Sequence, residues 1–158
     1  MKVSVICVGK IKEKFYSAAI AEYAKRISRF SDFEIIEIPD ESIPDNASEK
    51  ETENIKSREG ARILSKIKPQ SCVISLCVEG KLLTSEELAE KIKDICMLTS
   101  RIVFVIGGSL GLSDEVKNRS DLRLSFGRMT LPHMLMRVVL TEQIYRAFMI
   151  NSGAAYHK

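Results

Sequence analysis

The sequence predicts an α/β domain with a mostly parallel sheet and helices on both faces, and two observations support this. First, five short runs rich in Val and Ile alternate with helix-like segments along the 158 residues. Second, three of the five runs are nearly apolar throughout, as is typical of strands covered on both faces in a parallel sheet. A chain of this length buries about 70% of its unfolded surface, which favours a single domain over residues 1–158.

The five strand-like runs are closed by Gly, Pro or a polar turn, as strands commonly are. The first, third and fourth are the apolar ones. The sequence predicts strands at Lys2 to Gly9, Phe33 to Pro39, Cys72 to Gly80, Arg101 to Gly108 and Asp121 to Phe126.

Helix-like segments lie between these runs. Lys14 to Phe30 carries apolar residues among Lys, Glu and Arg and is predicted to be amphipathic. The segment from Ser48 to Lys68 opens with a charged run, and its first half is expected to form a solvated helical face. Thr84 and Glu87 have the spacing of a capping box, and Ser113 with the two acidic residues after it begins a short helix.

The composition argues against several classes of protein. A formal net charge of +3 does not mark the chain as a polyanion binder in the way a strongly basic domain would. Cys7, Cys72, Cys77 and Cys96 lie in apolar runs without a Cys-x-x-Cys pair, which predicts small core residues in a reducing compartment. With only two histidines, no metal site is expected. The apolar run before Gly9 is too short for a signal peptide or a membrane span, which predicts a cytoplasmic protein.

Three loops follow predicted strand ends, where open α/β sheets bind their ligands. They are Ser75 to Lys81, Val105 to Ser113 and Ser125 to His133, and they converge if their strands are neighbours. The second loop is rich in glycine, but it follows the fourth strand instead of the first, and no Gly-Lys-Ser/Thr occurs. A plain tight turn and the phosphate loop of a small nucleotide-binding or flavodoxin-like module both stay open.

The last helix is predicted to begin at a Pro-His pair and to run through HMLMRVVLTEQIYRAFMIN for about five turns. Apolar residues cover most of its circumference, so we expect a sheet on one face and a second subunit on the other, in a symmetric homodimer. His133 and Arg137 share one face with Thr141, and Glu142 can pair with Arg146. Spacing alone does not distinguish functional groups from ordinary structural pairs at a dimer rim.

Three segments carry a resemblance to a known family. VIGGSLGLS, LSFGRMTLPHMLMRVVLTEQIYRAF and the terminal YHK are similar to the ribosomal RNA large subunit methyltransferase H family, a small member of the SPOUT class of S-adenosylmethionine enzymes. The resemblance spans the whole chain. It implies an α/β fold whose carboxyl-terminal part forms a trefoil knot, with the cofactor-binding knot region at about residues 72–158.

The resemblance also implies an activity. It is methyl transfer from S-adenosyl-L-methionine to N3 of a pseudouridine, at position 1915 of the 23S rRNA of the large ribosomal subunit, by a homodimer. The alternative is a non-catalytic S-adenosylmethionine-binding RNA or ribosome assembly factor of the same fold. Its support in the sequence is Ala154 and Ala155 before Tyr156, where the family usually has a proline next to the tyrosine.

Site residues follow from the resemblance position by position. Arg146, Tyr156 and His157 are the expected catalytic set, and the RNA is expected to contact His133, Arg137 and Lys158. The loops supply glycines and backbone amides that allow close approach to a cofactor, together with apolar walls. The expected cofactor-binding residues are Leu76, Gly108, Gly127, Arg128, Met129, Thr130, Leu131 and Pro132.

Overall fold

A computed structural model describes residues 1–158 and contains five strands that alternate with five helices. The strands are β1 (Lys2–Val8), β2 (Asp32–Ile38), β3 (Cys72–Leu82), β4 (Arg101–Ile106) and β5 (Leu122–Ser125). The helices are α1 (Lys14–Ile27), α2 (Glu49–Lys66), α3 (Ser85–Leu98), α4 (Asp114–Arg119) and α5 (His133–Asn151). All five predicted strands and all five predicted helices are present, with ends that differ by a few residues.

The strands form one sheet in the order β2-β1-β4-β3-β5, and every neighbouring pair is parallel. The predicted parallel α/β fold is therefore confirmed. Because β4, β3 and β5 are adjacent, the loops after them meet at one edge of the sheet, as their sequence positions predicted. The trefoil knot implied by the family resemblance stays a prediction.

Helices cover both faces of the sheet, as predicted. On one face, alternate residues of β1 such as Val3 and Val5 pack with the buried sides of α1, α3 and α5. On the other face, Ile6 and Val8 pack with Ile63 of α2 and with α4. The alternating side chains of a strand thus enter two separate cores, which explains why β1 is apolar at nearly every position.

The predicted helix starts are confirmed at the level of individual hydrogen bonds. Thr84 and Glu87 form the predicted capping box at α3, and Ser113 accepts a hydrogen bond from the backbone of Val116 at the start of α4. In α2 the expectation of a solvated first half is partly wrong, since Ile55 is buried there, and Glu59 just after it is buried as well. Charge along the sequence did not reveal that one face of this half points inward.

The cysteines differ from the prediction that all four are core residues. Cys7 is buried, Cys72 and Cys77 are half-buried, and Cys96 is exposed. Cys96 lies in the last turn of α3, next to the exposed Met97 and Leu98. An apolar run at the end of an amphipathic helix therefore does not ensure burial.

The predicted bounds of the last helix, His133–Asn151, are those observed for α5. It packs against α1, α3 and β4 of the same chain, so neighbouring helices supply part of the cover that its apolar circumference requires. Pro132 lies just before its first turn, where a missing N–H costs little. No helix of the structure is both long and apolar enough to span a bilayer.

Candidate active site

A cavity of about 660 Å³ lies at the carboxyl ends of β3, β4 and β5. This volume is within the usual range for pockets that bind small molecules and cofactors. The three predicted segments form its walls, so the expectation that they converge is confirmed, although the first of them, Ser75 to Lys81, is part of β3 and not a loop. The residues that line it are Leu76, Cys77, Val78, Ile106, Gly107, Gly108, Ser109, Leu110, Gly111, Leu124, Ser125, Phe126, Gly127, Met129, Thr130, Leu131, Pro132, His133 and Met136.

Most of the residues expected to bind the cofactor lie in this wall. Leu76 comes from β3, Gly108 from the loop after β4, and the others from the loop between β5 and α5. Arg128 is the exception, because its exposed side chain is not part of the lining. His133, predicted on the RNA side, also lines the cavity.

The glycines after β4 allow a turn that larger residues could not make. A Cβ atom at Gly107 would lie 2.8 Å from the carbonyl carbon of Gly111, which adopts a φ of +83°. At Gly108, a Cβ atom would lie 3.1 Å from Val8 Cγ1 and 3.4 Å from the buried Glu59 Oε1. The loop thus folds back on itself and packs directly against β1 and α2.

The loop before α5, most of which lines the cavity, contains backbone N–H groups without a partner. The backbone N–H groups of Arg128, Met129, Thr130 and Leu131 donate no hydrogen bond within the protein. Such groups need a partner, and water or a ligand can supply it. Apolar walls together with unpaired backbone amides on the same loop fit a ligand that has both apolar and polar parts.

His133 and Arg137 share a face of α5, as predicted, but they face different surroundings. His133 is half-buried, and burial, with the nearby charge of Arg137, lowers its pKa below 6.5. The imidazole is therefore neutral near pH 7. A neutral His133 at the cavity wall can donate or accept a hydrogen bond but adds no positive charge for RNA.

The prediction that Arg137 contacts RNA is not supported by its position. Its side chain is 1% exposed. Nη2 donates to the carbonyl oxygens of Val8 and Gly9, each at 2.7 Å, and Nη1 donates to Glu37 Oε2 at 2.9 Å. The guanidinium thus ties α5 to the ends of β1 and β2, where phosphate cannot reach it.

The three residues of the expected catalytic set lie together at the far end of α5. Arg146 donates to Glu142 Oε1 from Nε at 3.0 Å and from Nη2 at 2.6 Å, which confirms the predicted pair. Tyr156 donates to the same oxygen at 3.1 Å, and the Arg146 guanidinium lies 4.8 Å from the centre of its ring. His157 Nδ1 is 3.2 Å from Arg146 Nη1, and its Nε2 is 2.7 Å from Glu86 Oε1.

These contacts fix where the protons are in the cluster. Arginine only donates, so Nδ1 of His157 accepts from Arg146 and Nε2 carries the hydrogen that is donated to Glu86. Burial and the Glu142 carboxylate raise the pKa of Tyr156 to about 12, so the phenol keeps its proton. The hydrogen bonds to Glu142 raise the pKa of Arg146, which stays cationic.

Within one chain, the cavity and this cluster are separate. Arg146 follows His133 by 13 helical residues, which corresponds to about 20 Å along α5. None of Arg146, Tyr156 and His157 lines the cavity. Lys158 is exposed next to the cluster.

Sequence reasoning missed Glu86 of the cluster and gave no site role to Cys77, although Cys77 lies in the first of the three predicted segments. Glu86 binds His157 from the first turn of α3, 71 positions away, and no local pattern indicates such a contact. Cys77 lines the cavity, and its position directly after the apolar part of β3 could have indicated this. No group of three or more His, Cys, Asp or Glu side chains is placed to hold a metal ion.

Comparison with known proteins decides the family. A family model described as "Predicted SPOUT methyltransferase" matches residues 1–157. The chain belongs to the SPOUT methyltransferase family. Members of this family use S-adenosylmethionine in general, and the half-apolar cavity with its free amides fits such a cofactor.

Relatives of this SPOUT methyltransferase match it from end to end. A protein of Lactococcus lactis subsp. cremoris (strain SK11) named ribosomal RNA large subunit methyltransferase H is 60% identical over 159 residues and covers 100% of both chains. A protein of the same name from Lactiplantibacillus plantarum is 56% identical over 159 residues, again with full coverage.

A solved structure shares the fold of this SPOUT methyltransferase. It is the structure of a probable methylase family protein from Haemophilus influenzae Rd KW20, with a TM-score of 0.52 and 15% sequence identity. The match covers 99% of this chain and 70% of the other. At this identity, the similarity supports the fold alone.

Proposed function

We propose that this protein transfers a methyl group from S-adenosylmethionine to N3 of a pseudouridine in 23S rRNA of the large ribosomal subunit. The observation that carries the proposal is the full-length match, at 60% identity, to a relative named ribosomal RNA large subunit methyltransferase H. The chain acts as one domain, with the cofactor-binding part at about residues 72–158. Because the proposed substrate is ribosomal RNA, we expect the protein to act on ribosomes in the cytoplasm.

The cofactor occupies the cavity at the strand ends. Leu76, Met129 and Leu131 form apolar walls, and the free amides of the loop before α5 donate to polar groups of the cofactor. Gly108 and Gly127 allow the backbone to approach closely. When bound, S-adenosylmethionine supplies a methyl group activated by its sulfonium. The protein residues align this group with the attacking nitrogen and exclude water.

The Arg146 cluster acts on the base that is methylated. N3–H of pseudouridine is a weakly acidic imide, so a positive field that stabilises its anion promotes attack on the methyl group. Arg146 supplies this field and, with its forked hydrogen bonds to Glu142, is held in one orientation. Tyr156 donates a hydrogen bond to the base or stacks on it, and His157 Nδ1, 3.2 Å from Arg146 Nη1, is an acceptor within the same cluster.

The working unit is a homodimer in which each active site contains parts of both chains. The separation of about 20 Å along α5 supports this arrangement, since the cavity and the cluster of one chain cannot both contact one nucleotide. Half-exposed apolar residues in the first half of α5, such as Leu135, Val138 and Val139, offer a surface for the second chain.

Methyl transfer from tritiated S-adenosylmethionine to purified ribosomes tests the function. The wild-type protein is expected to label 23S rRNA, and Arg146→Ala or deletion of residues 156–158 is expected to reduce labelling strongly. Binding of S-adenosylhomocysteine without any labelling of RNA would instead favour the non-catalytic assembly factor.

A further inference from the structure

Three lysines without partners lie in the loop between β1 and α1 and at the start of α1. Lys10, Lys12 and Lys14 are all exposed. They take part in none of the ion pairs of the structure. Between positions 10 and 14, three lysines and Glu13 leave a net charge of +2.

This loop lies beside the cavity. β1 is the neighbour of β4 in a parallel sheet, so the loops that follow the two strands leave the same edge. Val8, at the end of β1, is 3.1 Å from the Cβ position of the cavity residue Gly108. On the other side, the Cβ position of Gly9 is 3.6 Å from Met134 Cε in the first turn of α5.

The buried Arg137 and its partner Glu37 hold the loop in this place. Arg137 donates to the carbonyl oxygens of Val8 and Gly9 and to Glu37 Oε2. The same Glu37 oxygen accepts a hydrogen bond of 2.9 Å from the backbone N–H of Ile11. The backbone that carries the lysines is therefore fixed relative to the cavity wall. This contact also explains why α5, which borders the cavity, contains the buried Arg137.

Local stability does not explain these charges. Lys14 is the first residue of α1, the first turn contains no acidic residue, and a cation there opposes the helix dipole. Next to it, Phe15 is 67% exposed, and aromatic rings among lysines are typical of surfaces that bind unpaired nucleotides. This combination favours RNA over an acidic protein as the partner.

We infer that Lys10, Lys12 and Lys14 form a docking surface for the phosphate backbone of the substrate RNA beside the methyl-donor cavity. The inference rests on the proposed function for the identity of the RNA. Phosphate contacts position a nucleic acid without selecting its sequence, so this surface would hold the strand while the cavity and the cluster select the nucleotide. A chain of low net charge can bind RNA in this way through a local patch.

The test measures RNA binding separately from methyl transfer. Lys10, Lys12 and Lys14 are changed together to Gln. The control variant changes Lys25, Lys66 and Lys68 to Gln, which removes the same charge from exposed lysines that form no ion pair. Each full-length protein is titrated with protein-free 23S rRNA and with purified ribosomes over a range of salt concentrations. Binding of S-adenosylhomocysteine and the thermal melting curve show whether both variants are folded.

Each lost phosphate contact makes the slope of log K against log salt less negative by about 0.7 to 0.9. The variant with Gln at positions 10, 12 and 14, the loop variant, is therefore expected to have a slope about 2 to 3 less negative than that of the wild-type protein. Its RNA affinity at low salt is expected to fall by about ten-fold or more, while the control variant stays close to wild type. Equal slopes and affinities for the two variants would overturn the inference, and so would weaker binding to ribosomes with unchanged binding to protein-free rRNA.

The assay also separates this inference from the proposed function. If the wild-type protein labels no rRNA but the loop variant still loses RNA affinity, the methyltransferase proposal fails and the docking surface stands. If the wild-type protein labels rRNA and the loop variant binds RNA as the control does, the docking surface is wrong and the methyltransferase proposal stands.

Discussion

Arg146 donates two hydrogen bonds to a single carboxylate oxygen of Glu142, from Nε at 3.0 Å and from Nη2 at 2.6 Å. Tyr156 donates to the same oxygen. Glu142 therefore orients both groups that are proposed to act on the RNA base. A charged hydrogen-bond acceptor in this position holds the guanidinium more firmly than a neutral one would.

Removing the guanidinium is expected to reduce methyl transfer by about 100-fold to 1,000-fold in Arg146→Ala, the usual cost of losing a group that stabilises developing charge. Arg146→Lys keeps the charge but loses the fork and is expected to restore only part of the rate. The measurement is the single-turnover rate on ribosomes. S-adenosylhomocysteine affinity serves as the control, because Arg146 does not line the cavity. A wild-type rate in Arg146→Ala would remove this residue from the mechanism.

A composite site predicts that two inactive variants complement each other. Leu131→Glu places a charge in the apolar wall and is expected to prevent cofactor binding, while Arg146→Ala keeps the cavity and lacks the guanidinium. After random exchange of subunits, half of the dimers are mixed, and each mixed dimer has one intact site of two. Methyl transfer of about one quarter of the wild-type level is therefore expected. No recovery in a mixture whose subunits have exchanged would place each site within one chain.

The elements were predictable because their patterns are local. The bounds of α5 and the capping box of Thr84 and Glu87 are set by residues a few positions apart. Convergence of the loops followed from a general property of parallel sheets, although the strand order itself was not apparent from the sequence.

The contacts that decide side-chain roles were not predictable, because they join distant positions. Arg137 contacts Glu37 across 100 residues, and this contact holds the guanidinium in a buried position that the sequence did not predict. His157 meets Glu86 across 71 residues, and neither neighbourhood in the sequence indicates the pair. Spacing predicted which face of α5 a residue occupies but gave no information on what that face contacts.

The buried position of Arg137 predicts a large effect on stability. Arg137→Met removes the donor to the carbonyl oxygens of Val8 and Gly9 and leaves Glu37 Oε2 with the N–H of Ile11 as its partner, so we expect the free energy of unfolding to fall by about 3 kcal/mol. Urea denaturation measures this change. The same substitution at exposed Arg128, which makes no hydrogen bond, is expected to cost less than about 0.5 kcal/mol. Equal midpoints for the two variants would contradict the support role.

Glu59 predicts a specific dependence of stability on pH. Burial raises the pKa of its carboxyl above 4.5, so the folded protein holds a proton that the unfolded chain releases. The contribution of Glu59 to stability is full below pH 4.5 and is lost as the pH rises through the folded-state pKa. Glu59→Gln keeps an acceptor for the Glu41 N–H. As the pH rises through this range, the variant is expected to lose less stability than the wild-type protein. Urea titrations at several pH values measure the difference, and exposed Glu90→Gln should behave like wild type.

The most direct test of the account is mass spectrometry of nucleosides from ribosomes incubated with the protein and S-adenosylmethionine. The account predicts one added methyl group on a pseudouridine of 23S rRNA, at N3, with none in reactions that lack the protein or contain Arg146→Ala. A methyl group on a different nucleoside, or no methylated nucleoside from protein that binds S-adenosylhomocysteine, would contradict it.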